Sequence, residues 1–418
     1  MNSKSSNGLW YDVCIVITIL CGLGFPGNLE SLMPGAFSVL IKYGPFMLQI
    51  AMMLISSGSE VMDIKLVDLK AKYWPVYLML LIWFGLSVLS TDKMSEQIIA
   101  CTRFSVTAIF ALWVTERYSV EKFEMLVFYA IACMTAVTFV SFIMFPQLCY
   151  SYETGLRTFC GLCMTKNNCA AELSFGIAFQ MLVWKAKHSK GEKCSILFFG
   201  VLGIQCLLIL KCSATGALFC GVLTAAYVII CGSKKFPFRP PLGWFHLVVN
   251  IGFLIVAMTV LPLFAPFFET IGKDVTITGR TPLWERLIDV MMEHRTFNGF
   301  GFSMFWKNDT AIRWFHQGFA RDSWGATMIH GSHNATIEIW LDTGIIGTIA
   351  YFGMILISMR RTSDFSQAEY DFCSTFIVWE TIFGLTERSY IPFCYQTMFL
   401  FLCMGYSCNR SIGKGDLP

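Results

Sequence analysis

Apolar runs long enough to cross a lipid bilayer follow one another along the whole chain. A helix needs about 20 predominantly apolar residues to span the hydrocarbon core. Such runs cover residues 10–27, 36–57, 73–90, 97–114, 124–145, 170–184, 194–210, 216–231, 242–263, 336–358, 370–385 and 389–408. The pattern predicts an all-α polytopic membrane protein with about 12 transmembrane helices.

The composition excludes the other broad classes of protein. Of the 418 residues, 55% are apolar or aromatic and 14% are charged, against about 25% charged residues in an ordinary soluble domain. A soluble protein with so few charges could not cover its surface, and the mean hydropathy of +0.59 also excludes a disordered chain. No segment has the cleavage signature of a signal peptide, so we expect the first helix to be retained.

Basic residues are distributed unequally between the loops on the two sides of the predicted membrane. Seventeen Lys and Arg residues fall on one side, whereas the short loops on the other side hold five, namely Lys93, Arg157, Lys166, Lys211 and Arg388. Cytoplasmic loops carry the excess of basic residues. We therefore expect both termini in the cytoplasm and the sparsely charged loops outside. The net charge of +3 follows from this asymmetry and gives no reason to expect nucleic acid as a partner.

One extramembrane stretch, residues 264–335, is much longer than the others. It separates helices 1–9 (residues 1–263) from helices 10–12 (residues 336–418) within a single integral membrane domain. It carries seven basic residues and four of the six histidines. Because it is too short for a generous core of its own, we predict that it packs as a cap on the helix bundle. Long loops in compact proteins are usually functional, so chemistry is expected here.

A helix start is predicted within this loop at Thr281, which can serve as N-cap with Pro282 at the first helical position. One face of that helix carries Leu283, Trp284, Leu287 and Met291. Arg280 then lies beside free backbone donors and the positive end of the helix dipole, an arrangement that suits a phosphate or diphosphate. An arginine that pairs with a carboxylate, or is simply solvated, is the alternative.

A second helix start is predicted at the end of the loop, where Ser332 or Asn334 can cap the tenth membrane helix. His333 then lies at the outer N-terminus of that helix. A helix N-terminus disfavours a positive charge, which suits a neutral imidazole that accepts a proton. A purely capping or interfacial histidine is the alternative. Gly344 and Gly347 allow close contact between helices.

The outer loop 146–169 holds Cys149, Cys160, Cys163 and Cys169, so a disulfide bond is possible there. Cys160 and Cys163 have the spacing of a zinc-binding pair, but no second pair of cysteines with this spacing accompanies them. The cytoplasmic side has no phosphate-binding loop and no Asp-x-Asp metal signature. We therefore expect neither a metal site nor nucleotide-driven chemistry.

The sequence around His333 resembles a known family. His333-Asn334, nine residues and then Gly344-Ile-Ile-Gly347 are similar to the histidine motif of the bacterial O-antigen ligase and Wzy-type polysaccharide polymerase superfamily. The motif is accompanied, in the order that this family shows, by Gly279-Arg280 with Trp284, by Phe300-Gly301-Phe302 and by Glu338. Weaker similarities are Arg157 followed by Gly161 and Lys166-Asn167, and Leu385-Thr386-Glu387 near the end of the chain. The strong similarity covers residues 279–350.

The resemblance implies a membrane-embedded glycosyltransferase of the GT-C type, with the long loop in the periplasm and the protein in the bacterial inner membrane. Such enzymes transfer a glycan from undecaprenyl diphosphate to an acceptor sugar hydroxyl, with inversion at the anomeric carbon and without a metal ion or cofactor. The implied partners are the lipid-linked oligosaccharide, the acceptor glycan, the bilayer, and other polysaccharide-assembly proteins such as a flippase and a chain-length regulator.

The resemblance also implies roles for individual residues. His333 is the expected base, oriented by Asn334 or Glu338, and Arg280 is the expected cation for the diphosphate. The family often has a basic residue where this chain has Ala214, and Lys211 could supply that charge one helical turn earlier. The further candidate contacts to the diphosphate or glycan are Arg103, Arg157, Lys166, Asn167, Lys211 and Arg313.

Arg103 lies inside a predicted span, where an arginine is costly unless it is paired or beside water. It is expected either to face a lateral cavity that admits the lipid diphosphate or to pair with a carboxylate such as Glu172 or Glu380.

Two other functions are weighed against a polymerase. A ligase that transfers the glycan to lipid A-core shares the same motifs, but the segments around Arg280 and Glu338 look more like those of polymerases. A flippase or transporter usually places ionisable groups near the bilayer midplane between repeated halves. Among the basic residues, only Lys42 and Arg103 lie deep in spans, and the sequence has no internal repeat.

Overall fold

The computed structural model describes residues 4–24, 35–60, 72–90, 93–153, 156–231, 239–264, 279–318, 331–360, 362–387 and 394–410. The helices of the bundle are α1 (Lys4–Gly22), α2 (Gly35–Glu60), α3 (Trp74–Ser90), α4 (Met94–Arg117), α5 (Val120–Met144), α6 (Lys166–Ser189), α7 (Ile196–Cys212), α8 (Thr215–Ile230), α9 (Leu242–Ile255), α12 (Ala335–Ser358), α13 (Gln367–Gly384) and α14 (Tyr395–Arg410). The long loop contributes α10 (Arg280–Val290) and α11 (Asp309–His316). A short antiparallel hairpin of β1 (Tyr150–Glu153) and β2 (Leu156–Phe159) lies between α5 and α6.

Each predicted span overlaps one helix of the bundle. Within the described ranges, four helical stretches are long and apolar enough to cross a membrane, namely Met94–Arg117, Val120–Met144, Leu242–Phe264 and Ala335–Asp364. Five further apolar stretches, in α1, α2, α3, α7 and α8, are shorter. The chain is therefore a helical membrane protein, and the full set of twelve crossings stays a prediction.

Contacts between the ends of the helices group the connecting segments onto two faces. On one face, Lys93 donates to the Lys307 carbonyl at 2.9 Å, which joins the start of α4 to the long loop. On the opposite face, Lys185 pairs with Asp371 at 2.9 Å, at the end of α6 and the start of α13.

The long loop packs on the bundle through the apolar face predicted for its first helix. The buried residues of this face, Leu283, Trp284, Leu287 and Met291, share one cluster with Ala257 beyond α9 and with Ile337 and Leu341 of α12. Burying such side chains stabilises the docked loop by about 1.5–3 kcal/mol each. The described part of the loop therefore caps the bundle at α9 and α12.

The predicted N-cap of this helix is wrong. The helix begins at Arg280, and Gly279 is the N-cap residue with a left-handed φ of 79°. Glycine adopts this φ without steric cost, and it turns the chain into the helix earlier than the sequence pattern indicated. Thr281 consequently lies buried inside the first turn.

The helix α12 is interrupted at Gly344, where φ is 66° and ψ is −173°. The interruption leaves backbone N–H and C=O groups of the helix without partners inside the helix. Residues 296–301 of the long loop form hydrogen bonds with these groups. The four hydrogen bonds join Phe300 N to Leu341 O (2.8 Å), Gly301 N to Asp342 O (2.9 Å), Ile345 N to Thr296 O (2.9 Å) and Ile346 N to Phe297 O (3.3 Å). Irregular backbone at membrane depth is tolerated when protein satisfies it in this way.

The two glycines of the predicted packing motif therefore differ in their contacts. The backbone of the long loop packs directly against Gly344. A Cβ at this position would lie 2.2 Å from the carbonyl group of Phe297, so only glycine leaves room for this contact. The carbonyl of Gly347 accepts a hydrogen bond from the Trp83 indole at 2.9 Å, which links α12 to α3.

All cysteines lie in the described part of the chain, and none of them forms a disulfide bond there, so the bond considered for residues 146–169 is not present. In the outer segment, burial raises the pKa of the Cys149 thiol to about 11. Because the thiolate is the reactive form, this cysteine is expected to be inert at neutral pH.

We expect Gly344→Ala to lower the free energy of unfolding by at least about 2 kcal/mol, since alanine is strained at this φ and its Cβ overlaps the loop backbone. Gly353→Ala is the matched control on the same helix, because a Cβ there meets nothing within 4 Å. Thermal unfolding of both purified variants in detergent measures the difference. Equal midpoints for the two variants would contradict the contact between loop and helix.

Candidate active site

The segment before α12 is held in place by hydrogen bonds to its backbone. The Asn334 side chain caps α12 by accepting from Ile337 N at 3.0 Å, which confirms one of the two predicted caps. Its amide also donates to the Leu385 carbonyl at 3.1 Å, so the start of α12 is tied to the end of α13. Ser332 closes a small turn by donating from its hydroxyl to Asn334 O at 2.8 Å.

The carboxylate of Glu338 lies one turn inside α12 and is 6% exposed. It accepts from Ser332 N at 2.9 Å and from the Trp306 indole at 3.0 Å. The Trp284 indole donates to the Ser332 carbonyl at 2.8 Å. Glu338 and the two tryptophans therefore hold the residue that directly precedes His333.

The backbone of His333 has a φ of 51°, in the left-handed region that non-glycine residues rarely adopt. Such strain persists only where the surrounding structure enforces it. The hydrogen bonds of Ser332 and Asn334, on either side of His333, provide that constraint. The side chain is 30% exposed, so the imidazole remains accessible.

The imidazole Nδ1 of His333 lies 3.1 Å from Oε2 of Glu387. A carboxylate only accepts hydrogen bonds, so Nδ1 carries a proton, and in the neutral imidazole the lone pair is then on Nε2. The nitrogen that can accept a proton therefore faces away from Glu387.

The other carboxylate oxygen of Glu387 binds Arg280, whose Nη2 is 2.9 Å from Oε1. Both side chains of this ion pair are about four-fifths buried, at 20% and 19% exposed. Asn167, at the start of α6, donates to the same Oε1 at 3.4 Å. One carboxylate thus connects α6, α10, α12 and the end of α13. For Arg280, the structure shows the carboxylate partner that the sequence left open as an alternative.

Three of the other predicted cations lie against aromatic rings. The distances to the ring centroids are 4.4 Å from Arg157 to Tyr150, 5.6 Å from Lys211 to Phe142 and 5.4 Å from Arg103 to Tyr43. Arg313 is exposed on α11 and donates to Thr310 Oγ1 at 3.2 Å, and Lys166 begins α6 directly before Asn167.

The segment that follows Lys211 approaches the site through its backbone. A Cβ at Gly216, in the first turn of α8, would lie 3.8 Å from Thr386 Oγ1, next to Glu387. Ser213, between α7 and α8, has a left-handed φ of 54°. The turn that contains Ala214 therefore lies beside residues 386–387.

Residues 197–352 match the family model described as O-antigen ligase. This range includes Arg280, His333, Asn334 and Glu338, which the structure holds around one site. Over this range, which is less than half of the chain, the protein is similar to the O-antigen ligase family. Asn167 and Glu387 lie outside the range matched by the O-antigen ligase model.

A curated protein similar to this chain is the exopolysaccharide production protein ExoQ of Rhizobium meliloti (strain 1021). It is 28% identical over 241 residues, which are 53% of this chain and 52% of the relative. The chain thus matches about half the length of this relative.

Sequence reasoning missed Glu387 as a site residue. The segment Leu385-Thr386-Glu387 carries only a weak similarity to the family motifs, and His333 and Arg280, which contact Glu387, are 54 and 107 residues away in the chain. No local pattern reports such a contact, and a lone acidic residue after an apolar helix is ordinary.

We expect Asn334→Ala to lower the free energy of unfolding by about 1 kcal/mol or more, because the N-cap and the contact with Leu385 are lost together. Asn334→Ser keeps a capping oxygen but cannot reach Leu385, so it should be intermediate. Thermal unfolding in detergent ranks the three proteins. A serine variant as unstable as the alanine variant would show that the cap contributes nothing.

Proposed function

We propose that this protein is an inverting membrane glycosyltransferase that polymerises undecaprenyl-diphosphate-linked oligosaccharide repeat units. The observation that carries the proposal is that Glu387 holds Arg280 and His333 on one carboxylate. A cation that suits a diphosphate and a base that suits a hydroxyl proton are thereby brought into one outer site.

The reaction would be a single displacement at the anomeric carbon. The acceptor oxygen forms a bond to that carbon, and the bond from the carbon to the diphosphate oxygen breaks. The hydroxyl proton passes to Nε2 of His333, which must come within hydrogen-bond reach of the acceptor. One displacement inverts the configuration, and the lipid-linked donor already carries the activated bond.

Negative charge develops on the departing diphosphate, and fixed cations stabilise it. The guanidinium group of Arg280 is a cation whose paired donors match phosphate oxygens. This supports a metal-independent mechanism. We propose the remaining candidates, Arg103, Arg157, Lys166, Lys211 and Arg313, as further contacts to the diphosphate or glycan.

We place the site on the side of the membrane whose short loops carry few basic residues. The positive-inside rule places that side in the periplasm and both termini in the cytoplasm of a bacterial inner membrane. A periplasmic site meets the lipid-linked donor after a flippase has delivered it. The acceptor glycan, the bilayer and chain-length-regulating proteins are the other proposed partners.

The second candidate function is an O-antigen ligase, which the description of the matching family favours. The similarity to ExoQ, an exopolysaccharide production protein, favours the polymerase. Both reactions use the same type of donor and differ in the acceptor.

Deletion of the gene separates the two candidates. A polymerase mutant should display single repeat units or lack exopolysaccharide, because the repeat units are never joined. A ligase mutant should instead accumulate full-length polymer on the lipid carrier. Extraction of lipid-linked glycans, followed by gel separation, distinguishes these outcomes, and accumulated polymer would exclude the polymerase.

The base is tested with His333→Ala in purified protein and a radiolabelled lipid-linked glycan. We expect transfer to fall by about 10²-fold or more, the effect of losing a general base, while donor binding is retained. His316→Ala is the matched control, since His316 ends α11 and packs beside Phe315. His330 lies outside the described residues, and its alanine variant is also expected to keep most activity. A fully active His333→Ala variant would refute the assignment.

A further inference from the structure

Glu387 binds two groups that the proposed reaction uses at different stages. Its Oε1 holds the Arg280 guanidinium at 2.9 Å, and its Oε2 holds the His333 imidazole at 3.1 Å. Arg280 is proposed to bind the donor before any bond breaks, whereas His333 accepts a proton during transfer. The inference below rests on that proposed function and deepens it.

The donor diphosphate and the Glu387 carboxylate are both anions that suit the same guanidinium. With Arg280 bound to Glu387, an incoming diphosphate meets a cation whose charge is already balanced, and it also meets the repulsion of the carboxylate. The diphosphate carries more negative charge than the carboxylate and offers oxygens on two phosphorus atoms, so it is the stronger ligand for the arginine fork.

We propose that donor binding displaces Glu387 from Arg280 and leaves this carboxylate bound to His333. Glu387 is then a positioning residue that acts through the histidine. It keeps the proton on Nδ1, holds the ring with Nε2 towards the acceptor, and stabilises the positive charge that the imidazole gains when it accepts a proton.

Asn167 allows Arg280 to leave Glu387 while Oε1 of Glu387 keeps a hydrogen-bond donor. Its amide donates to the same Oε1 that Arg280 holds, at 3.4 Å. When the guanidinium turns to the diphosphate, Oε1 retains this neutral partner, and the desolvation cost of an unpaired carboxylate oxygen is avoided. Asn167, predicted from the sequence as a substrate contact, is thereby assigned to Glu387.

The exchange predicts an order of events at the site. Before the donor binds, the Glu387 carboxylate is shared between Arg280 and His333. After the donor has bound, Arg280 no longer competes with His333 for this carboxylate. A hydroxyl group that reaches the site before the donor therefore meets a less activated histidine. Arg280 lies at the start of α10 and His333 lies in the segment before α12, and the two side chains are coupled through Glu387.

The test is Glu387→Gln, which keeps the size of the side chain and removes its charge. Binding of undecaprenyl diphosphate to the purified full-length protein is measured separately from turnover of the glycan-loaded donor. We expect binding to become about three- to tenfold tighter, because a competing anion is gone. Turnover should fall by about 10²-fold, because His333 loses its charged partner.

Two variants serve as controls. Glu285→Gln removes a carboxylate from the exposed face of α10, the helix of Arg280, and should change neither binding nor turnover. Glu387→Asp keeps the charge on a shorter side chain, and it should lower turnover without tightening the binding of undecaprenyl diphosphate. Thermal unfolding of each variant in detergent verifies that the protein is folded.

The outcomes separate this inference from the proposed function. Opposite changes in binding and turnover for Glu387→Gln support the exchange, since a structural defect would weaken both together. Parallel losses, or tighter binding with unchanged turnover, would overturn it while wild-type transfer still supported the glycosyltransferase. If wild-type protein transfers no glycan, the proposed function fails, and the positioning of a catalytic base by Glu387 fails with it.

Discussion

Hydrogen bonds between the long loop and the interrupted helix α12 hold the architecture of the site together. A helix in the membrane cannot leave backbone groups unpaired, because no water is present to satisfy them. At Gly344 the interruption is compensated by residues 296–301, which donate and accept the missing bonds. The loop therefore docks on the bundle at a defined register, and the position of α10 follows from it.

Two layers of contacts connect this docked loop to the candidate site. Buried side chains of α10 pack against α9 and α12, and the indoles of Trp284 and Trp306 with the carboxylate of Glu338 fix Ser332. The strained backbone of His333 then projects an accessible imidazole towards Glu387. Rigid support by buried contacts is what a group needs when its orientation matters for proton transfer.

Parts of the site were predictable because their signals are local. Asn334 was one of two residues expected to cap α12, since a short polar side chain before an apolar helix is a local signature. The predicted cap at Thr281 was wrong, because the left-handed conformation of Gly279 started the helix earlier. Gly344 was interpreted as a packing residue, but its φ and its contact with Phe297 depend on a loop more than forty positions away in the chain.

The sequence by itself determined the class of the protein and the positions of the apolar helices. These features depend on composition and short-range periodicity, which each segment carries regardless of its neighbours. Only the tertiary structure decided that Glu387 joins Arg280 to His333 and that the long loop completes an interrupted helix. Both are contacts between residues distant in the chain, and their formation depends on how the bundle packs, which no local pattern encodes.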